Sequence, residues 1–587
     1  MIMKKISIIL SAFAVVFGMA SCNDELELRN PNNQTTYDFG DTEAELQEAV
    51  IACYSVLRFD GTYSRVGYTM DAVRGDEVWN SSQQWYYEYD NLDVPITNDL
   101  SQWIWRDFFY VVTRCNYVLQ QVEKVSMSED SYNEIKGQAL FMRGLAYYEL
   151  ATYFQTVPVF NDYSQYSSLE SMYRPNVPQE DVFAQVDADL SEAMRILPSR
   201  DEGGEWAEGR ATCGSAAGYY ARSLMFQHKY TEAYAVLKDI ISGLYGSYSL
   251  VADYGDNFKE GAAENNEECL FEVQYLDFGQ GGTNEVWTPV NLNPDATQGH
   301  AIESNYASQD WVSSWGDLAV SPWLYNLFKK ETCTDGRLDP RLYWTVCSYE
   351  AEYDTYTGVK TDAYPGGDPR CNIMYMRSAS ATPNSNSAQG GIPIAKYTNA
   401  RNNLYETVTN GLRCGINIRM MRYSDVLLLA AECENELNGV TQTAIDYINE
   451  VRDRVALAPL KTSDFRDADH LFEWIANVER PKELGCEHGR GIDLIRWGFF
   501  HREDRLAQLA DHGSYVLDGT ANTTYPVVEP TGNTYQYYKP GHEYFPIFQT
   551  TLNSNPNLGK GNSANTNTDN ASVFEANGWN IRPVVEL

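Results

Sequence analysis

The feature that most constrains the fold is a segment of paired helical periodicity at residues 216–241, AAGYYARSLMFQHKYTEAYAVLKDII. In its second half Ala233, Leu237 and Ile240 recur at steps of three and four, the spacing of one face of a helix. Small residues let two helices approach closely, and large ones fill the gap between successive pairs. One such pair cannot bury its own apolar face, so we expect about three or more pairs packed in series.

Other parts of the chain carry the same apolar stripes. In the last of them Val426 and Leu429 lie on one stripe, and Ile445 and Ile448 lie on the next. The spacing is typical of tetratricopeptide repeats, so the sequence predicts a mostly α fold built from tetratricopeptide-like helix pairs. The further candidate pairs are residues 42–60 with 101–125, residues 132–154 with 179–197, and the two halves of residues 424–455.

Residues 250–415 interrupt the helical pattern and are rich in Gly, Pro, Asn, Ser and Tyr. Short apolar runs within them, such as CLFEVQYL at residues 269–276, indicate short strands. An insertion this long inside a compact domain is usually functional, and its aromatic content argues against disorder. We therefore predict a large loop-rich lobe that carries short strands.

The N-terminus has the pattern of an exported lipoprotein. Lys4 and Lys5 precede an apolar run over residues 6–18, which is shorter than the roughly 18 to 20 residues that a membrane-spanning helix needs. Small residues then precede Cys22, as in the lipobox of bacterial lipoproteins, where the cysteine thiol receives a lipid. We predict a signal peptide over residues 1–21 and lipid attachment at Cys22; the alternative is an ordinary signal peptide.

These features divide the chain into a signal peptide, a tether, a helical part and a longer C-terminal part. The C-terminal part spans residues 250–587 and contains the loop-rich lobe, helices that return, and a loop-rich end. The predicted bounds are 1–21, 22–40 and 41–245 for the first three parts, and 250–415, 416–500 and 501–587 within the last.

The charge balance narrows the classes of partner. The chain has a net charge of −37, and removal of Lys4 and Lys5 with the signal peptide gives −37 − 2 = −39. This excess of carboxylates repels phosphate backbones, so we do not expect a nucleic acid partner. A neutral ligand is favoured.

No metal or cofactor is predicted. The ten cysteines after Cys22 include no C-x-x-C pair, and several fall in helical stretches, where buried thiols are expected. The seven histidines include no H-x-x-x-H pattern. The one exception that the sequence allows is a weakly bound structural calcium ion at the acidic turn DYGDNFKE, held by Asp253 and Asp256.

The aromatic content points to a binding surface. There are 42 Tyr and 13 Trp, many of them in polar, turn-rich segments. The flat rings of these residues stack on the apolar faces of sugar rings, while nearby Asp and Asn side chains bind the hydroxyls. Trp103, Trp105 and Trp497 lie in helical stretches and are predicted to be core residues. The candidate ligand-binding residues are Asp76, Trp79, Asn80, Trp85 and Tyr86 after the first helix, and Trp287, Trp311 and Trp315 in the loop-rich lobe.

A charge-dense segment, ERPKELGCEHGRGIDLIRW, has a structural interpretation. Alternating acids and arginines more often form an internal ion-pair network than a catalytic site. Arg490, Asp493 and Arg496 are therefore predicted to be structural.

Four motifs lie at intervals along the chain: GQALFMRGLAYYELATYFQTVPVF, RYSDVLLLAAECENELNG with AIDYINEVRDR, VERPKELGCEHGRGIDLIRWG, and YFPIFQTTLNSNPNL. Together they resemble the SusD/RagB family of surface lipoproteins from Bacteroidetes, over nearly the whole mature chain. Pro481, Gly489 and Gly491 depart from the family pattern, and some 29 residues follow Leu558, where many members end sooner.

The resemblance implies a SusD-like fold and a function. It implies a non-enzymatic, outward-facing, lipid-anchored protein of the outer membrane that captures an oligosaccharide or a peptide. It also implies a partner, a SusC-like TonB-dependent outer-membrane transporter that receives the ligand. The acidic run that follows Cys22 is then similar to the signal that exports such lipoproteins to the cell surface.

Two alternatives remain open from the residues alone. A surface glycoside hydrolase would use two carboxylates roughly 5 to 9.5 Å apart, and Asp76 and Glu77 lie among the aromatic residues. A tetratricopeptide adaptor would bind other proteins through its helices, although it leaves the aromatic loops unexplained.

Overall fold

A computed structural model of the chain describes its helical framework and parts of the loop-rich lobe. Residues 1–39, including Cys22, lie outside the described residues, so the predicted signal peptide and tether stay predictions. The described residues are 40–80, 84–203, 208–276, 299–307, 315–347, 393–399, 414–513, 538–558 and 571–587.

The described chain is mostly helical, with short strands in two places. The α-helices before residue 245 are α1 Glu43–Val56, α2 Val66–Val73, α3 Gln84–Asp90, α4 Asp99–Val122, α5 Glu129–Phe154, α6 Leu169–Met172, α7 Gln179–Ile196, α8 Arg200–Gly203, α9 Cys213–Phe226 and α10 Tyr230–Ile241. The later ones are α11 Ile302–Tyr306, α12 Pro322–Lys329, α13 Pro340–Thr345, α14 Tyr423–Asn438, α15 Gln442–Arg454, α16 Ala468–Trp474, α17 Arg480–Leu484, α18 Arg490–Arg496, α19 Glu503–Gly513, α20 Gln549–Ser554 and α21 Ala571–Asn577.

Shorter helical turns and strands complete the described elements. The π-helical turns are Asp60–Ser64 and Ile475–Glu479, and the 3₁₀ turns are Tyr163–Tyr166, Tyr254–Phe258, Thr462–Asp464 and Phe499–His501. The strands are β1 Val78–Asn80, β2 Cys269–Val273, β3 Leu318–Val320 and β4 Ile418–Arg422.

The long helices pack in series, as the apolar stripes predict. In order, α1 packs on α4, α4 on α5, α5 on α7, α7 on α9, α9 on α10, α10 on α14, and α14 on α15. Each predicted pair is present, and the contact of α10 with α14 continues the series across the loop-rich residues between them. The prediction of a mostly α fold made of such pairs is confirmed.

Helix α5 is the centre of this stack. The steps of three and four at Ile135, Met142 and Leu150 predict one packing face, but burial extends around nearly the whole circumference from residue 137 to residue 154. Close packing against α7 depends on a glycine, because a Cβ at Gly144 would lie 2.8 Å from the Leu190 side chain. The sequence pattern finds this helix but underestimates how deeply it is buried.

Two antiparallel strand pairs tie the loop-rich lobe to the helices. Strand β2 is fully buried and pairs with β4, which leads directly into α14. Strand β1 pairs with β3, with Trp79 opposite Ala319. The strand predicted in CLFEVQYL is therefore confirmed, and both ends of the lobe are fixed to the framework.

Two residues of the charge-dense segment that depart from the family pattern, Pro481 and Gly491, have local structural explanations. Pro481 lies at the start of α17, directly after the π-helical turn Ile475–Glu479, and turns of this kind occur where the regular helical hydrogen bonding is interrupted. Gly491 allows the chain from α2 to approach, since a Cβ there would lie 2.5 Å from Arg74 Cγ and 2.6 Å from the Asp71 carbonyl oxygen.

Among the described residues, no helix combines the length and the apolar character that spanning a bilayer requires. The nine cysteines that the structure describes are all free and buried, and this includes those in helical stretches, for which the sequence predicts burial.

Candidate functional site

The two aromatic stretches singled out in the sequence meet at the β1–β3 pair. Strand β1 carries Trp79, and β3 begins three residues after Trp315. Successive side chains of a strand point to opposite faces, so Val78 and Asn80 are buried while Trp79 is half-buried. The Ser321 N–H donates to the Glu77 carbonyl oxygen at 2.7 Å and extends the pairing. Trp79 and Trp315 thus belong to segments that are hydrogen-bonded to each other.

The backbone at Trp315 is anchored on helix α11. The N–H groups of Trp315 and Gly316 both donate to the Ser304 carbonyl oxygen, at 2.7 and 3.2 Å. Helix α11 is itself attached to the N-terminal helices, because the Ala301 N–H donates to the Ser64 carbonyl oxygen at 2.8 Å. The position of Trp315 is therefore set by the rigid framework.

Arg65 lies between two indole rings. Its guanidinium carbon is 5.3 Å from the Trp315 ring centroid and 6.0 Å from that of Trp103 on α4. Both distances are within the range of cation–π attraction. The guanidinium is buried and fixed by Asp60, with Arg65 Nε donating to Asp60 Oδ1 at 2.8 Å. We call Trp103, Arg65 and Trp315 the indole–arginine cluster.

The turn that carries Asp60 is locked onto α4. The Gly61 N–H donates to Asp107 Oδ2 at 3.0 Å, and Arg106 Nε donates to Asp107 Oδ1 at 2.7 Å. A side chain at Gly61 cannot be accommodated, since its Cβ would lie 2.2 Å from the Trp103 carbonyl oxygen. Burial raises the pKa of Asp107 to about 6, although Arg106 opposes the shift.

The prediction that Trp103 is a core residue is wrong in part. Trp103 packs against the core but is half-buried, and its ring joins the indole–arginine cluster. Trp105 and Trp497 are 8 % and 4 % exposed, so both are core residues as predicted. The sequence could have indicated this, because Trp103 and Tyr110 are two helical turns apart and so lie on the same, exposed face of α4.

Asp76 does not face a ligand surface. It is 3 % exposed, accepts from Arg490 Nε at 2.6 Å and Arg490 Nη2 at 2.8 Å, and lies 2.6 Å from His512 Nδ1. Burial alone would raise the pKa of Asp76, but the charge and hydrogen bonds of Arg490 hold it well below its usual value. We therefore assign Asp76 to the framework that positions strand β1.

Tyr86 and Asn80 are also buried. Tyr86 is 2 % exposed and its hydroxyl oxygen accepts from Asn305 Nδ2 at 2.7 Å; burial raises the pKa of Tyr86 to about 12. Asn80 is 9 % exposed, and its N–H donates to Asp90 Oδ2 at 3.2 Å. The sequence predicts that these two residues bind a ligand directly, but both are buried. They instead hold neighbouring segments of the framework in place.

The remaining candidates cannot be placed in the site. The Trp85 side chain, Trp287 and Trp311 lie outside the described residues. Their role in binding stays a prediction.

The charge-dense segment forms the predicted internal network. Arg480 donates to Asp493 Oδ2 at 2.8 Å, Arg496 donates to Asp493 Oδ1 at 2.8 Å, and Arg490 pairs with Asp76. All of these side chains are buried. A cavity of about 30 Å³ among them has room for about one water molecule and none for a sugar ring.

The same network makes stability sensitive to acid. Asp425 lies between Arg480, at 2.7 Å, and Arg222, at 2.8 Å, and despite burial these charges lower its pKa to about 2. Because the pKa of an unfolded Asp is about 3.9, the stabilisation is present above about pH 4 and is lost as the pH falls towards 2. We expect Asp425 to contribute about 2–3 kcal/mol to this pH dependence of the unfolding free energy.

Urea unfolding at several pH values between about 5 and 2.5 measures this contribution. Asp425→Asn should lose stability at neutral pH and then show a flatter acid dependence than the parent. An unchanged slope in the variant would contradict the assignment.

The acidic turn considered for calcium already holds a cation. Lys259 Nζ donates to Asp253 Oδ2 at 3.1 Å and to Asp256 Oδ1 at 2.7 Å. Within the described part of the chain, no cluster of three or more His, Cys, Asp or Glu side chains could hold a metal ion. The geometry of this turn therefore gives the calcium hypothesis no support.

Comparison with known proteins adds sequence relatives of similar length. A sequence model of the SusD family matches residues 267–564, more than half of the chain, and a model described as starch-binding associating with outer membrane matches residues 24–224. Two SusD-like proteins of Formosa agariphila are each 24% identical to the chain; one alignment covers 96% of this chain and 99% of the relative, and the other covers 84% and 91%.

Solved structures share the fold. A SusD superfamily protein from Bacteroides vulgatus has a TM-score of 0.63 at 24% identity and covers 89% of this chain and 98% of its own. A SusD-like carbohydrate binding protein from Bacteroides fragilis gives 0.68 at 21% identity, with 89% and 99% covered. The surface glycan-binding protein A of Bacteroides thetaiotaomicron in complex with laminarihexaose gives 0.64 at 21% identity, with 88% and 98% covered.

Proposed function

Since the chain belongs to the SusD family, we propose that it is a surface glycan-binding protein that captures an oligosaccharide through the indole–arginine cluster. The observation that carries this proposal is the pair of half-buried indoles, Trp103 and Trp315, held around the fixed guanidinium of Arg65. Flat, rigid rings stack on the C–H faces of sugars at low entropic cost. Trp79 is a further half-buried indole, on the strand paired with the segment after Trp315.

The structural relatives support a glycan as the ligand. One relative of the same fold is a surface glycan-binding protein in complex with laminarihexaose, and another is described as a carbohydrate binding protein. These descriptions concern those proteins, and at 21% identity the likeness to each is one of fold. A peptide is the second candidate ligand.

Binding without hydrolysis fits the carboxylates of this region. The pair considered for a glycosidase is buried: Asp76 is engaged by Arg490, and Glu77 Oε2 accepts from the Cys486 N–H at 3.1 Å. Burial raises the pKa of Glu77 to about 8. A hydrolase needs its two carboxyl groups on either side of an accessible glycosidic bond. Neither carboxyl group is exposed to such a bond.

The first test exposes the purified protein to an array of polysaccharides, oligosaccharides and peptides, followed by calorimetry on the positives. We expect a glycan to bind with no release of reducing sugar. Selective binding of peptides, or release of reducing sugar by the pure protein, would overturn the proposed function.

We also propose that the protein is lipid-anchored at Cys22, faces outward from the outer membrane and passes its ligand to a TonB-dependent transporter of the SusC type. The lipobox-like sequence and the match to a family described as associating with the outer membrane support this location. Tethering both partners to one membrane raises their effective concentration, so a modest interface keeps them paired.

Mild detergent extraction and pull-down through a C-terminal tag test the anchor and the partner together. We expect a large outer-membrane barrel protein in near-equal amount from cells with the parent chain, and release from membranes for Cys22→Ser. Membrane retention of Cys22→Ser after a high-salt wash would contradict the anchor, and recovery of the parent chain alone would contradict the partnership.

A further inference from the structure

The exposed face of α4 carries an alternating series of aromatic and arginine side chains. Trp103, Arg106, Tyr110, Arg114 and Tyr117 follow each other at steps of three and four, so they lie on one side of the helix. Tyr110 is 38 % exposed and the other four are half-buried. At about 1.5 Å per residue, the series is roughly 21 Å long. We call it the α4 stripe.

The α4 stripe continues the indole–arginine cluster. Trp103 belongs to both, since its ring lies 6.0 Å from the Arg65 guanidinium carbon. At the other end Tyr117 contacts Tyr163 edge to face, with ring centroids 5.2 Å apart, and Tyr163 lies 5.7 Å from Tyr166. A chain bound at Trp315 and Trp103 would meet an aromatic ring about every 10 Å along the helix, at Tyr110 and again at Tyr117.

One of the two arginines of the stripe is paired with a carboxylate, and the other, Arg114, has no such partner among the described residues. The acids of α4 are Asp99, at its first residue, and Asp107, which is fully buried and pairs with Arg106 at 2.7 Å. From the neighbouring segment Asp41 and Glu45 lie near Tyr117. Arg114 donates to Ser55 Oγ at 2.9 Å and to the Ala52 carbonyl oxygen. Among the described residues these groups of α1 are its hydrogen-bond partners, and no carboxylate there is paired with it.

An anionic chain is the ligand that this arrangement suits. Arginine presents a planar set of donors that matches carboxylate and sulfate oxygens, and charged hydrogen bonds are stronger than neutral ones. The net charge of −37 repels polyanions from the rest of the surface, so binding would be confined to the arginine-bearing stripe. Neutral sugars need the aromatic rings but not the guanidinium groups.

Building on the proposed function, we infer that the glycan carries carboxylate or sulfate groups and runs from Trp315 along the α4 stripe to Tyr117. The rings stack on the sugars, and Arg114 binds the acidic substituents, while Arg106 stays paired with Asp107. This replaces the neutral ligand that the net charge alone favours, because the local charge of a binding surface matters more than the total.

Matched polymer pairs test the inference. The probes are polygalacturonate with its carboxyl-reduced form, and dextran sulfate with dextran, measured by calorimetry at about 50 and 300 mM salt. Screening shortens the reach of surface charges to less than about 10 Å over this range. We expect at least one acidic member to bind about tenfold or more tightly than its neutral partner, with weaker binding at high salt. Whichever polymer pair shows this difference in affinity tells whether the site prefers carboxylate or sulfate groups.

Two variants and a control locate the effect. Arg114→Gln should weaken binding of the acidic polymer about fivefold or more and leave neutral polymers unaffected, while Tyr117→Ala should weaken both. Lys330→Gln removes one exposed positive charge at the end of α12 and should change nothing. Melting temperatures within a few degrees of the parent show that each variant is folded.

The outcomes separate this inference from the proposed function. The inference is overturned if the acidic and neutral members of each pair bind with equal affinity, or if Arg114→Gln binds the acidic polymer as tightly as the parent. In either case, loss of neutral-polymer binding in the double variant Trp103→Ala with Trp315→Ala would still support glycan capture. If Arg114→Gln affects only recovery of the transporter, the stripe is a protein interface and the inference fails. Failure of all four polymers together with every glycan of the array counts against the proposed function itself.

Discussion

Asp76→Ala is expected to lower the free energy of unfolding by about 3–5 kcal/mol, the cost of leaving a buried charge without its partner. The carboxylate accepts two hydrogen bonds from Arg490 and contacts His512, and all three residues are buried. His512 in turn stacks on Trp323, with ring centroids 3.9 Å apart. Removing the carboxylate therefore disturbs the contact between α18, α19 and the chain that leads into β1.

Urea unfolding of parent and variant measures this loss. The matched control is Glu192→Ala, which removes an exposed carboxylate paired with Arg195 on α7 and should leave the midpoint nearly unchanged. Asp76→Asn should fall between parent and Asp76→Ala, because it keeps part of the hydrogen bonding and loses the charge. A midpoint for Asp76→Ala equal to that of the control would contradict the structural role of Asp76.

Trp103→Ala combined with Trp315→Ala is expected to weaken glycan binding by about tenfold or more. Each aromatic platform contributes on the order of 0.5–1.5 kcal/mol beyond the area that it buries, and about 1.4 kcal/mol corresponds to a factor of ten in affinity. Removal of both rings also frees the Arg65 guanidinium from the cation–π contacts that hold it. The loss should exceed the sum of the two single variants if Arg65 depends on both rings.

Calorimetry with the glycan found on the array measures the effect, and the melting temperature checks the fold. Trp579→Ala is the control: this indole stacks on His228 beside the α9–α10 turn, with centroids 4.1 Å apart. It should bind like the parent. Normal affinity in the double variant would move the binding site away from the indole–arginine cluster.

Local periodicity explains what could be predicted of the fold. The steps of three and four at Ala233, Leu237 and Ile240 predict the helix and its buried face correctly, because that information lies within a dozen residues. The roles of Arg490 and Arg496 also follow from composition, since charges so dense beside apolar residues need internal partners.

The site residues could be predicted less well, because their environment is set by distant parts of the chain. Asp76 looks like a hydroxyl-binding residue among aromatics, yet its partner Arg490 is 414 positions away. Trp103 looks like a core residue of an amphipathic helix, and only the turn at Asp60–Ser64 and the segment at Trp315 show that its ring serves a surface. Contacts of this kind are not encoded in local spacing.

A crystal structure of the protein with an oligosaccharide selected on the array tests the proposed binding site most directly. We expect a sugar ring stacked on the indole of Trp315 or Trp103, with a substituent within hydrogen-bonding distance of an arginine on α4. Density for the oligosaccharide at a surface that contains neither indole would contradict it.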